Sequence, residues 1–235
     1  IPYSINRRKL VNGKVLMEPN PEQSITQEAK ILTLSRKNAL KGGHPDVLAH
    51  ILHYPCHATS SAENALHSEY PGIIRQMLER QYPGSVTVFL QGATGDIRPN
   101  ISENGHFIKK DYLETVQFGQ AVATILLEAL QKDGQNIEPN LRLKNTQITL
   151  PLKPKYSKNI LKRTDSENAQ WDPVWAKIVS KQEAYDYRLL DLSYLQLCPQ
   201  WKGLFFNAEL VDAYQVYAQT LDPNALVVGY TNGMI

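Results

Sequence analysis

Two periods organise the apolar residues of this chain. Runs of β-branched and aromatic residues predict strands at Lys30–Ser35, Asp46–Tyr54 and Val86–Leu90. Further runs predict strands at Leu141–Leu152, Leu192–Leu197, Leu204–Phe206 and Ala225–Tyr230. Pro55 closes the second run because it has no N–H to give a ladder, and Pro151 and Pro154 mark the Leu141 run as an edge. Helical spacing appears from Tyr70 to about Arg80, where Ile73, Ile74, Met77 and Leu78 share a face. It appears again from Asp111 to Lys132, from Ser157 to Arg188, and from Ala208 to Gln219. Residues 1–26 read as irregular surface with one hairpin at Asn12-Gly13.

Strands and helices alternate, so the expected fold is α/β: a layered domain with a mixed β-sheet flanked by helices. The 235 residues suit a single domain over 1–235, and the Pro151–Gln170 stretch reads as an insertion rather than a boundary. A start at Ile1 without methionine and a stop just after a strand-like run lead us to expect a fragment lacking N-terminal and C-terminal parts. Lys and Arg number 25 against 23 Asp and Glu, a balance that lacks the basic excess of a non-specific nucleic-acid binder. The most apolar stretch, Ala121–Leu130, is broken by Thr124 and Glu128, so no transmembrane segment is expected. Cys56 and Cys198 are too far apart for a Cys-x-x-Cys motif and read as buried thiols.

Chemistry concentrates in two places. His50, His53, His57 and His67 lie close together. Pro55 and the strand-like run before it argue against a helical His53/His57 metal pair. The better reading puts His57 just past a strand end, where α/β folds keep their reactive groups, with His50 and His53 on opposite strand faces as ordinary hydrogen-bonded imidazoles. The second place is the loop Gln91–Asn100, which holds Gly92 and Gly95 and gathers Asp96, Arg98 and Asn100. Its amides are candidates for holding an oxyanion, and Arg98 for clamping a carboxylate or phosphate. The loop has no Gly-Lys-Ser/Thr ending, so nucleotide binding finds no support. Trp171, Trp175 and Trp201, with Tyr185, Tyr187 and Tyr194, are candidates for a hydrophobic groove or for core and rim.

Three blocks in order resemble the neutral/alkaline non-lysosomal ceramidase family, in particular its bacterial ceramidase-like members. They are Tyr54-Pro-Cys-His57-Ala-Thr59 with Ser68-Glu-Tyr-Pro-Gly72, then Phe89–Asn100, then Phe206-Asn-Ala-Glu209-Leu with Val227–Gly233. The resemblance implies a zinc-dependent hydrolase of an amide-type bond, acting on a small-molecule or lipid-like substrate, in a family whose members are often secreted. It implies a metal held by two histidines, a glutamate and a tyrosine. His57 takes the second histidine position and Glu209 the glutamate; the first histidine is expected upstream of Ile1, and the tyrosine position falls on Met234 by its spacing from Asn232. Arg98 stands where ceramide-cleaving members carry a serine, which argues against ceramide itself and for a substrate with an anionic or strongly polar group. On this reading Asp96 orients a ligand or water, and Arg98 with the Gly92–Gly95 amides holds an oxyanion or a substrate carboxylate. Two alternatives stay open: a non-catalytic member that has lost its metal and binds a ligand or partner, and a two-metal phosphoesterase using Asp96 and the histidines.

Overall fold

The computed structural model describes residues 3–41, 44–108, 111–132, 134–151 and 187–234. Strands β1 (Ser4–Val11) and β2 (Lys14–Asn20) form the expected hairpin, with Asn12 and Gly13 at φ 49° and 74°, the left-handed pair that a tight hairpin turn requires. The hairpin is far longer than the irregular surface expected around it. Its inward-facing residues include Ser4 and Asn6, both polar and both 3% exposed. A strand with polar residues on its buried side shows no apolar alternation to read.

Strand β3 (Lys30–Lys41) pairs antiparallel with β4 (His44–Tyr54), and β5 (Val86–Gln91) pairs parallel with β4, from Ala49↔Val86 to Tyr54↔Gln91. A parallel neighbour needs a crossover, and helix α1 (Glu69–Gln81) supplies it. A short strand, β6 (Ile97–Pro99), then pairs with β1, and β7 (Ser102–Glu103) and β8 (His106–Phe107) make a small ribbon. Helix α2 (Tyr112–Leu130) starts on Asp111, whose carboxylate accepts from the Leu113 N–H at 2.8 Å. It packs on α1 so closely that a Cβ added at Gly119 would lie 2.7 Å from Ile73 Cβ. Between these helices and β4 sits a core of Leu52, Tyr54, Tyr70, Ile74, Leu78 and Val122.

The second half builds a four-stranded sheet in the order β12-β11-β10-β9. Strand β9 (Arg142–Pro151) lies at its edge as the prolines foretell, paired with β10 (Tyr187–Cys198). Strand β11 (Trp201–Phe206) runs antiparallel to β10 and parallel to β12 (Ala225–Val228), with helix α3 (Asp212–Leu221) as the crossover. The fold is therefore α/β, as expected, and mixed pairing occurs in two sheets rather than one: one antiparallel and one parallel pairing in the first, two antiparallel and one parallel in the second.

Two helix boundaries depart from the periodicity. Helix α3 begins at Asp212 and not near Ala208, because the preceding backbone is engaged elsewhere: the Leu210 carbonyl accepts from the Gly95 N–H at 2.8 Å. Tyr187 and Arg188 belong to β10, not to a helix; the rest of that predicted helix, the Pro151–Gln170 insertion beyond Pro151, and Trp171, Trp175 and Tyr185 lie outside the described residues. Of the other groove candidates, Trp201 is buried in a cluster with Cys198 and Leu226. Cys56 and Cys198 are both free and buried.

Candidate metal centre

Four strand ends meet at one place. The Gly92 N–H donates to Tyr54 O at 3.1 Å, joining the end of β5 to that of β4. The Gly229 N–H donates to Gln91 O at 3.0 Å, and the Thr231 N–H to Phe206 O at 2.9 Å, bringing in the ends of β12 and β11. His57 follows β4, the Gln91–Asn100 loop follows β5, Glu209 follows β11 and Tyr230 follows β12. Ligand sites of open α/β sheets gather at such carboxyl ends of strands.

Gly92 is needed for this closure: a Cβ there would stand 2.8 Å from Pro55 Cα and 2.9 Å from His53 Nε2. His53 itself is 1% exposed, with Nε2 2.9 Å from Val227 O, and burial lowers its pKa to about 4. His50 is also buried, with Nδ1 3.1 Å from Thr33 Oγ1 and its ring against Tyr82. Both are core histidines with a hydrogen-bond partner on one ring nitrogen, as the sequence reading preferred; among the described residues the other nitrogen of each, His50 Nε2 and His53 Nδ1, is buried without one.

His57 is fixed by the backbone around it. The carbonyl of Cys56 accepts from the Tyr70 hydroxyl and from Gln91 Nε2, and the His57 N–H donates to Ile97 O at 3.3 Å. The ring reaches Glu209: Nε2 lies 3.5 Å from Oε1, and both side chains keep about a third of their surface open, 28% and 35%. Burial and the charge of Arg7 lower the His57 pKa, with Glu209 opposing, so the imidazole is neutral at pH 7. Neutral imidazole and carboxylate are donor types that can hold zinc. Two ligands at about 2.1 Å from one cation in tetrahedral geometry stand about 3.4 Å apart, so the observed separation fits a shared zinc ion. Among the described residues, no group of three His, Cys, Asp or Glu side chains gathers around a point.

Glu209 Oε1 has a further partner that sequence reasoning missed. Arg7 Nη2 donates to it at 3.0 Å. The guanidinium groups of Arg7 and Arg8 both converge on Gly95 O, at 3.0 and 2.9 Å for Nη2. Neighbouring strand residues ordinarily point to opposite faces; here the pairing of β1 with β2 shifts register between Asn6 and Arg8, and such an irregularity re-aims side chains. The tandem Arg7-Arg8 was the available signal, hidden by reading this segment as surface.

Tyr230 was also missed. Its ring centre lies 6.3 Å from that of His57, and its hydroxyl 3.2 Å from Thr94 Oγ1. Burial raises the phenol's pKa, Thr94 opposes, and Glu209 adds to the rise, so the proton is retained at neutral pH. Met234, at the expected tyrosine position, is instead 68% exposed.

The loop residues divide. Asp96 Oδ1 accepts from the Asp212 N–H at 2.8 Å and Oδ2 from Asn6 Nδ2 at 3.5 Å, so its carboxylate ties β1 and the start of α3 to the loop. The amides of Gly92 and Gly95 donate to Tyr54 O and Leu210 O, which takes these two out of the Gly92–Gly95 amides expected to hold an oxyanion. Arg98 Nη2 donates to Thr59 O at 3.0 Å, and the guanidinium carbon sits 4.3 Å above the centre of the Phe107 ring.

The fold is similar to that of two solved ceramidase structures. The structure of neutral ceramidase from Pseudomonas aeruginosa superposes with a TM-score of 0.65 at 14% identity, covering 99% of this chain and 44% of that protein. A ceramidase complexed with C2 superposes with a TM-score of 0.62, also at 14% identity, over 90% of this chain and 43% of that one. The chain thus spans less than half the length of the solved structures it matches. No protein-family model and no curated protein matches its sequence.

Proposed function

We propose that this chain carries part of the active site of a zinc-dependent hydrolase that cleaves an amide-type bond. The observation that supports it is the 3.5 Å approach of His57 Nε2 to Glu209 Oε1, on a fold shared with ceramidases. His57, neutral at pH 7, and Glu209 would hold the metal. Zinc supplies Lewis acidity, polarising a carbonyl and making water acidic enough to attack near neutral pH. Tyr230, which keeps its proton, is placed to donate a hydrogen bond at the same opening. Arg7 and Asp96 are positioning residues, one through Glu209 and Gly95, the other through the backbone of Asp212.

The Arg7–Glu209 ion pair favours one rival reading, a metal-free member that binds a ligand or partner, because Arg7 already compensates the carboxylate charge. Metal analysis of the full-length protein decides between the two. We expect stoichiometric zinc in the native protein and its loss in His57→Ala and Glu209→Ala. Full zinc retention in both variants, or none in the native protein, overturns the hydrolase reading.

A further inference from the structure

Arg98 is a half-buried cation that is held in place but has no ion-pair partner among the described residues. Thr59 O and the Phe107 ring fix the guanidinium on two sides. Among the described residues no carboxylate forms an ion pair with it. Glu69, whose charge it feels, has its oxygens engaged by the N–H groups of Ser60, Ser61 and Tyr70 and by the Ser60 hydroxyl. Arg98 Nε is buried and has no acceptor among the described residues. Burying a guanidinium costs free energy unless charge and hydrogen bonds compensate it, and here neither is complete. Arg98 lies on the His57 side of the loop: its charge acts on the His57 ring, and the carbonyl of its neighbour Ile97 accepts from the His57 N–H. Arg7 is engaged by Glu209 and Gly95 and Arg8 by Gly95, so among the described residues Arg98 is a cation beside His57 with donors left to meet a ligand anion.

We propose that Arg98 binds a carboxylate carried by the substrate, and that the protein therefore acts on N-acyl amino acids. A planar guanidinium with one N–H already on Thr59 O still presents donors in the fork geometry that suits a planar carboxylate. This inference rests on the amide-hydrolase reading of His57 and Glu209. In the reaction water adds to the acyl carbon, the C–N bond breaks with its electron pair on nitrogen, and that nitrogen takes a proton from the water. The products are a carboxylic acid and a free amino acid; Arg98 makes and breaks no bond.

A matched pair of amides provides the test: N-octanoylglycine and N-octanoylethanolamine, which differ in carboxylate against hydroxymethyl. The full-length, zinc-loaded protein should prefer the acid at least tenfold in kcat/KM, chiefly through KM. Arg98→Gln should lower kcat/KM for the acid at least tenfold more than for the ethanolamide, while Arg98→Lys keeps part of the preference. Charge-assisted hydrogen bonds of this kind differ from neutral ones by about this factor. Equal rates on the two amides, or a preference that survives Arg98→Gln, overturn the inference and leave the hydrolase reading standing. If neither amide is hydrolysed, the hydrolase reading fails and calorimetric binding of N-octanoylglycine judges Arg98. Binding by the native protein that is lost in a folded Arg98→Gln variant supports the carboxylate site, and no binding, or binding unchanged in the variant, overturns it.

Discussion

Glu209 Oε1 lies 3.5 Å from His57 Nε2 and accepts from Arg7 Nη2 at 3.0 Å, so one carboxylate oxygen joins three elements distant in the chain. Each of the three is placed by a different device. His57 follows a strand whose end is tied down by Tyr70 and Gln91. Glu209 sits in a connection held by Gly95 and Asp96. Arg7 turns inward at the register shift of β1.

A ligand that binds the native state alone stabilises it by mass action. Zinc at about a hundred times its dissociation constant should add about 2.7 kcal/mol to the stability of the full-length protein. We expect a rise in Tm on adding zinc, reversed by a chelator, and no rise in His57→Ala. Equal rises in the two proteins place the metal elsewhere.

Asp96 accepts from the first N–H of α3, where a negative charge also complements the helix dipole. Removing it in Asp96→Ala should cost about 1–2 kcal/mol of stability by denaturant titration. Because the same contact fixes the Glu209 segment, zinc affinity should fall by about 10- to 100-fold, as for other residues that orient a ligand. An Asp96→Asn variant should recover most of the stability. Unchanged zinc affinity in a folded Asp96→Ala variant would show that Glu209 is held without it.

How far the sequence carried the architecture depends on which faces were apolar. Strand β4 and helices α1 and α2 bury Leu52, Ile74, Leu78 and Val122, and β5 packs Phe89 against them, so their periodicity was legible to within a residue or two at most ends. Strand β1 buries Ser4 and Asn6 and was not read as a strand beyond its turn. At the site, His57 and Glu209 were found through motifs, and the structure brings them together. Arg7 and Tyr230 were not found, since one depends on a shifted register and the other on a backbone turn at φ 55°, neither of which composition reveals. Asp96 was found with a different task, because a carboxylate that anchors backbone and one that orients water look alike in a sequence.

Gly92 stands where β4, β5 and β12 close together. A methyl group in Gly92→Ala would meet the Pro55 backbone at 2.8 Å, and backbone cannot yield as a flexible side chain does. Overpacking of this kind typically costs about 1–3 kcal/mol, and the midpoint of urea unfolding should drop accordingly. Because the clash opens the strand ends that carry His57 and Tyr230, zinc binding should weaken as well. A variant as stable as the native protein would contradict the close approach.

His53 gives the fold a defined response to acid. Burial lowers its pKa from 6.5 to about 4, so between those values the unfolded chain binds a proton that the native protein does not. By linkage, stability then falls as pH drops through this window and levels off below it; above pH 6.5 the group contributes no slope. The full effect of this one group is about 3 kcal/mol, taking about 1.4 kcal/mol for each pH unit. His53→Gln offers an amide N–H to Val227 O in place of the ring N–H and cannot titrate. Its unfolding free energy, measured by urea titration from pH 7 to pH 4, should lose most of the slope this histidine contributes, whatever its stability at pH 7. A slope identical to that of the native protein would mean that His53 is protonated in the folded state or that other groups dominate the acid response.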